Sequence, residues 1–340
     1  MGSPARTRSQ RPGSSAWPAA LILAAAAAGV AWSWRTWPDP TIDFGRELYV
    51  PWRLSQGEVL FRDIVSFNGP LSPYLIAGWF SLAGASLLSL VGLNLVVLGG
   101  TLILLYGMLA RVASRGAAVL ACLSFLALFA FGQLGPSDML PLGNYNWIAP
   151  YSHELTHGIA LSLLSLYALF RFASSGRRVW VAGSGLALGL VFLTKAEVFA
   201  AALGASAVGL AASLWLARSR LDRSLAVLGL WTAGALLPAL ISTALLAAAM
   251  PFGDALRGTL GTWPHLLDST HVDLPYFRWG MGTDDLPASL ARILLWVGWY
   301  AALLVTAEAL GGLRLRGRLF AAGVCVGLGA LLVTAWLALG

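Results

Sequence analysis

Apolar runs of about 20 residues recur along the chain, each closed by a short polar cluster, and this alternation predicts a bundle of transmembrane helices. Nine runs have spanning length or approach it: 16–36, 86–110, 116–133, 153–171, 179–194, 196–217, 225–249, 290–310 and 319–339. The stretch from Leu71 to Tyr106 is too long for one span. Two crossings there would put Arg111 and Arg115 on the side opposite to the other arginine clusters. The pattern therefore predicts a helix from Pro73 to about Gly84 lying in the interface, followed by one span. The N-terminal run continues through Trp32 and Trp34, longer than a signal-peptide core, and is expected to be an uncleaved first span.

Charge then orients the bundle. With a single interfacial helix, the clusters Arg6/Arg8/Arg11, Arg111/Arg115, Arg171/Arg177/Arg178, Arg218/Arg220/Arg223 and Arg314/Arg316/Arg318 all fall on one side. The acids fall largely on the other, which predicts a cytoplasmic N-terminal tail over 1–15. Three long outer loops follow, at 37–85 with its interfacial helices, 134–152 and 250–289. The expected fold is an all-α polytopic integral membrane protein, a single membrane domain over 1–340 with about nine transmembrane helices. A mean hydropathy of +0.75, with only 11% charged residues, leaves no stretch for a separate soluble domain. The net charge of +7 is dispersed in short clusters between spans, which excludes a nucleic-acid footprint. Cys122 and Cys325 sit inside apolar runs and form no disulfide framework. Twenty-one of the 22 cations are arginine, a bias that suggests a bacterial chain and makes Lys195 conspicuous.

Three constellations carry candidate chemistry. The first begins at Asp43-Phe44-Gly45-Arg46-Glu47 and continues through Arg62, Asp63, Asn68-Gly69-Pro70 and Tyr74. Ionisable groups beside a bilayer are costly to keep dry and mark functional sites. Asp43 also stands in capping-box-like spacing to Arg46 and Glu47, so a structural role as a helix cap stays open beside a catalytic one. The second is Thr194-Lys195-Ala196-Glu197. The preceding run of 15 residues spans roughly 22 Å as a helix, which puts Lys195 just below the outer surface, at the depth of a lipid phosphate. A Lys195–Glu197 pair or a snorkelling lysine is the structural alternative. The third is Asn144 to His157, which contains Tyr151 and His153-Glu154-Leu155-Thr156-His157. Two histidines one helical turn apart with an intervening glutamate match the zinc-protease pattern, with His153 and His157 as ligands. No companion motif supplies a third ligand, and the expected topology puts the motif outside. Asp138 in the second loop is a candidate second acid. The third loop mixes Asp268, Asp273, Asp284 and Asp285 with Trp263, Tyr276, Phe277 and Trp279, which suits sugar stacking and an interfacial belt equally.

Asp43 soon after the first span, Gly57-Glu58-Val59-Leu60-Phe61-Arg62-Asp63-Ile64 and Gly69-Pro70-Leu71-Ser72-Pro73-Tyr74 resemble the polytopic GT-C glycosyltransferases of the protein mannosyltransferase and aminoarabinose transferase group. The resemblance covers about residues 15–220. It implies a GT-C-like fold, Asp43 as catalytic base and a polyprenyl-phosphate-linked sugar as donor. It also implies a donor-phosphate role for Lys195, and a pocket in the second outer loop. Members usually carry more spans and often a soluble C-terminal domain, so a short or truncated member is expected of a chain that stops at Gly340 straight after an apolar run. The chemistry is self-consistent: a lipid phosphate leaves as a stable anion and needs no general acid. One carboxylate and nearby cations suffice.

The expected function is inverting transfer of a sugar from a polyprenyl phosphate to an acceptor (lipid, glycan or protein) on the outer, periplasmic face of a bacterial inner membrane. Asp43 is the base, and Lys195, Arg46 and Arg62 bind the donor phosphate. Glu47, Asp63, Asn68, Tyr74, Asp138, Tyr151, His153 and Glu154 line the pocket. No organic cofactor is expected, and a divalent metal is left open. Two other readings remain: a membrane zinc metalloprotease built on His153 and His157, and a lipid-linked saccharide flippase. The flippase reading would want polar residues through the bilayer midplane, where Asn94 and a few Ser and Thr are all the spans offer.

Overall fold

The computed structural model describes residues 16–41, 44–132, 145–217, 221–266, 274–275, 278–279, 282–295 and 298. Among these the fold is helical throughout, with two isolated bridges and no strand. The elements are α1 (Trp17–Ser33), α2 (Gly45–Ser55), α3 (Leu71–Ala83), α4 (Leu87–Val112), α5 (Arg115–Phe125), α6 (His153–Ser175), α7 (Arg178–Phe192), α8 (Ala196–Leu216), α9 (Leu221–Ala247), α10 (Phe252–Leu260) and the single turn α11 (Trp263–Leu266). The chain divides into two compact units, Met1–Pro264 and His265–Gly340. The described residues of the second include the apolar helix α12 (Leu286–Leu295), whose start is capped by Asp285 Oδ1, accepting from the Ala288 amide at 3.0 Å.

Four helices, α4, α6, α8 and α9, are long and apolar enough to cross a membrane. Their outward faces are as apolar as their inward ones: Val96, Ile103, Val208, Leu240 and Leu245 are all exposed. A helix apolar on every side needs a non-aqueous surround, and the chain is read as membrane-associated. The expected spans over 16–36, 116–133 and 179–194 appear as the shorter apolar helices α1, Arg115–Ala130 (α5 and a π-helical turn, Leu126–Ala130) and α7. The expected interfacial segment is the separate helix α3. The expected span 319–339 lies outside the described residues, as does 290–310 beyond α12 except for residue 298, so nine spans reduce to four of full length among the described residues.

Local sequence explains the boundaries. Ser86 and Ser114 occupy N-cap positions, their hydroxyls accepting from the Ser89 and Ala117 amides at 3.1 and 3.2 Å, and start α4 and α5. Small residues let the next layer close. A Cβ at Gly185 or Gly189 of α7 would come within 2.1 Å of Trp231 O or 2.2 Å of Ala235 O on α9. These backbones touch as glycines four residues apart allow. Ser165, Ser184 and Ser206 tie α6, α7 and α8 through buried hydroxyl contacts at 2.9 and 3.3 Å. One apolar cluster joins α6, α7 and α9 around Leu169, Val181, Leu188 and Trp231, and a second joins α1, α4 and α5 around Ile22, Leu98, Val119 and Phe131. A third, Phe44, Ile76, Phe80, Leu90 and Ala149, fixes α2 and α3 against α4 and thereby positions the polar groups described next.

Candidate functional site

Helix α2 buries one stripe, Glu47, Val50, Pro51 and Leu54, at the 3–4 spacing of an amphipathic helix. Glu47 is the carboxylate at the head of that stripe, 6% exposed. It meets the first turn of α6. Its Oε2 accepts the His153 backbone N–H at 3.2 Å and lies 2.5 Å from His153 Nδ1, while Oε1 accepts Arg46 Nε and Nη2 at 3.3 and 3.1 Å. A carboxylate at the amino end of a helix also complements its dipole. Asp43, the residue expected as the helix cap, lies outside the described residues. The carboxylate of Glu47 runs to α6 rather than back to the start of its own helix, and the N-cap residue of α2, Phe44, makes no side-chain cap bond.

The far side of the ring fixes its tautomer. Asn94 Nδ2 donates to Ile148 O at 3.0 Å, so the amide nitrogen faces inward, and the same nitrogen lies 3.0 Å from His153 Nε2. Nε2 therefore accepts, Nδ1 carries the proton, and Nδ1–H donates to Glu47. Burial pushes the Glu47 carboxyl up, but the hydrogen bonds of His153 and the charge of Arg46 outweigh it and hold the group below its ordinary value. Arg46 stands between carboxylates. Partial burial lowers its pKa, and Glu47 first, then Glu154, raise it above the usual value. Glu154 is buried and accepts from Ser152 Oγ at 2.7 Å.

Next to this group an aromatic ladder climbs from buried Phe44 to Tyr145 (6.3 Å between centroids) and on to half-exposed Tyr151 (5.2 Å). On the outer flank of α2, Leu48, Tyr49 and Trp52 face a cleft of about 470 Å³ that Phe80 and Leu87 complete. Its rim includes Pro40 and Gly45, which bracket Asp43 in sequence.

The other two constellations join here. His157, one turn along α6, lies with Nδ1 3.0 Å from Ser72 Oγ at the start of α3. The turn before α3 docks on the α7–α8 connection: Gly69 N donates to Thr194 O at 2.8 Å and Leu71 N to Leu193 O at 3.0 Å. Gly69 is required, because a Cβ there would sit 2.3 Å from Leu193 O. Thr194 in turn abuts α6, 2.8 Å from where a Cβ on Gly158 would stand. Asn68 Oδ1 accepts from Thr262 Oγ1 at 3.3 Å, closing the turn from the other side. Lys195 follows directly and pairs with Glu197 at 2.7 Å, its side chain 29% exposed.

The remaining candidates divide. Arg62 forms a bidentate pair with Asp63 at 2.9 and 2.7 Å and donates to Ala249 O at 3.3 Å at the end of α9. Asp63 also accepts from Val59 N at 2.8 Å, and the Arg62 bond first, then the Val59 bond, hold its carboxyl at about 2. Tyr74 accepts from the Leu60 amide through its hydroxyl at 3.1 Å. Arg62, Asp63 and Tyr74 thus brace the loop, and no contact among the described residues joins them to Glu47 and His153. Asp43 and Asp138 lie outside the described residues, as do Asp268 and Asp273 of the third loop. Asn94 and Ser72 were not among the expected site residues. Asn94 is legible only as the one amide in an otherwise apolar run.

A zinc site built on His153 and His157 does not fit this arrangement. Both His153 ring nitrogens are engaged, by Glu47 and Asn94, and a metal would have to displace one of them. Among the described residues no three His, Cys, Asp or Glu side chains are grouped to hold a metal. Comparison with known protein families, with curated proteins and with solved structures finds no match to this chain.

Proposed function

We propose that the chain is an inverting, GT-C-like membrane glycosyltransferase that moves a sugar from a polyprenyl phosphate to an acceptor on the outer face. The observation that carries the reading is the chain of contacts running from Glu47 through His153 and His157 to Ser72, and from the Gly69–Leu71 turn to Thr194. It gathers into one neighbourhood the three segments that the resemblance assigns to one pocket. Asp43, two residues before α2, is the proposed base. Glu47 is a positioning residue: paired with His153, it fixes the helix that follows Asp43 against α6. Lys195, Arg46 and the amino ends of α3 and α8 supply the positive potential that a departing lipid phosphate needs. Glu154 and Tyr151 are proposed to face the sugar beside Arg46. Arg62, committed to Asp63, is proposed to hold the loop rather than the donor.

The test uses purified full-length protein with a synthetic polyprenyl-phosphate sugar of defined anomeric configuration, following release of polyprenyl phosphate and the configuration of the product. Release with an inverted product is expected. A retained configuration, or no release with lipid, glycan or peptide acceptors, refutes the reading.

A further inference from the structure

Where α4 and α6 end and α7 begins, Arg111, Tyr167, Arg171 and Trp180 come together. Arg171 Nη1 donates to the Tyr167 hydroxyl at 3.2 Å, and its guanidinium carbon lies 4.8 Å from the Trp180 ring centroid and 6.0 Å from that of Tyr167. Arg111 stands beside the same residue from α4: the Cβ position of Gly107 lies 3.6 Å from its Nη1 and 3.9 Å from the Tyr167 ring, and that Nη1 donates to Gly107 O at 2.6 Å. The two helices approach closely here. Two guanidiniums thus flank one tyrosine. Among the described residues neither has a carboxylate partner. Arg177 and Arg178 on the following turn are exposed and add to the same field.

We propose that this cluster binds the phosphate of an anionic lipid headgroup. Arg171 is held over the Trp180 ring and by the Tyr167 hydroxyl, so its remaining N–H donors are already ordered for the oxygens of a phosphodiester. Helices α4 and α6 are each long and apolar enough to cross a membrane, so Arg111 in the last turn of α4 and Arg171 one turn before the end of α6 fall near headgroup depth, where Trp180 is also at home. A phosphate there relieves the repulsion between the two cations. The competing explanation is that each arginine only serves the carbonyl end of its own helix, which predicts no preference among lipids.

The test is native mass spectrometry of the full chain in detergent, titrated separately with phosphatidylglycerol and phosphatidylcholine, with thermal protection by inorganic phosphate measured alongside. Wild type is expected to retain phosphatidylglycerol about tenfold better than phosphatidylcholine, a difference of about 1.4 kcal/mol. Arg111→Gln/Arg171→Gln should lose that preference and Arg177→Gln/Arg178→Gln should keep most of it. Trp180→Leu, which leaves every charge in place, should weaken it and guards against misfolding of the double variant. Equal retention of the two lipids, equal loss in both double variants, or an unchanged preference in Trp180→Leu overturns the site. Protection by inorganic phosphate equal to that by phosphatidylglycerol makes it a free-anion site and overturns the lipid assignment.

Discussion

Removing Glu47 should unfasten α2 from α6, and the size of the effect follows from what the carboxylate holds. Glu47→Ala deletes the acceptor of three groups at once: the His153 amide, His153 Nδ1–H and the Arg46 guanidinium. The Arg46 arm contributes little, because its side chain is 56% exposed and water replaces the carboxylate. The His153 arm is fully buried, so its two neutral donors are left unpaired, at about 1–3 kcal/mol each. Glu47→Gln keeps one carbonyl for His153 and should cost about 1–2 kcal/mol, since its amide then opposes only the half-exposed Arg46. His153→Ala should be similar to Glu47→Ala. In the double variant the penalties should fall short of additivity by more than about 1 kcal/mol, because the second change removes groups already orphaned by the first. The assay is reversible unfolding of detergent-solubilised protein, read by tryptophan fluorescence, for wild type, both single variants and the double. Additivity within about 0.5 kcal/mol would show that the two residues are energetically independent and would refute the pairing.

Three further outcomes follow from the same geometry. The Glu47 carboxyl titrates below its ordinary value of 4.5 in the folded chain, so its contribution is complete above 4.5 and disappears as pH falls through the depressed folded value. An unfolding series at falling pH should therefore show wild type losing stability faster than Glu47→Gln, and parallel curves would contradict the assignment. Lys195→Met should weaken donor binding in a titration with polyprenyl-phosphate sugar, and Lys195→Arg should restore it only partly, because a planar fork does not replace a compact ammonium. If Glu197→Gln reproduces the Lys195→Met effect in full, Lys195 serves only its pair with Glu197. His157→Ala should cost about 1–3 kcal/mol of stability and retain substantial transfer, with no bound zinc in the wild type by elemental analysis. Stoichiometric zinc released by His157→Ala would restore the metalloprotease reading.

Much of the helical layout was legible in the hydropathy pattern, because a face turned to lipid must be apolar whatever the inner face carries, and α4, α6, α8 and α9 are long, predominantly apolar runs. Length was less so. Helix α7 and the α5–π segment are shorter than a bilayer core, and where such a helix starts depends on caps such as Ser114 rather than on apolarity. The docking of the Gly69–Leu71 turn on Leu193 and Thr194 is a pairing of backbone groups and left no side-chain signal beyond the glycine itself. Glu47 could have been recognised: it heads a stripe with Val50 and Leu54, and a carboxylate on the apolar face of an amphipathic helix is a buried carboxylate in need of a partner. Its spacing from Asp43 suggested a cap instead. The partner, His153, lies more than 100 residues away, and only the fold brings the two together.

The central claim is that Asp43 takes the proton of an acceptor while a polyprenyl phosphate leaves. It is tested most directly by release of polyprenyl phosphate in matched preparations of wild type and Asp43→Asn, with unfolding curves run in parallel. The variant keeps the size and hydrogen-bonding capacity of the side chain and removes the base, so the account predicts a rate reduced at least about a hundredfold with an unchanged unfolding midpoint. Wild-type turnover in Asp43→Asn would contradict it.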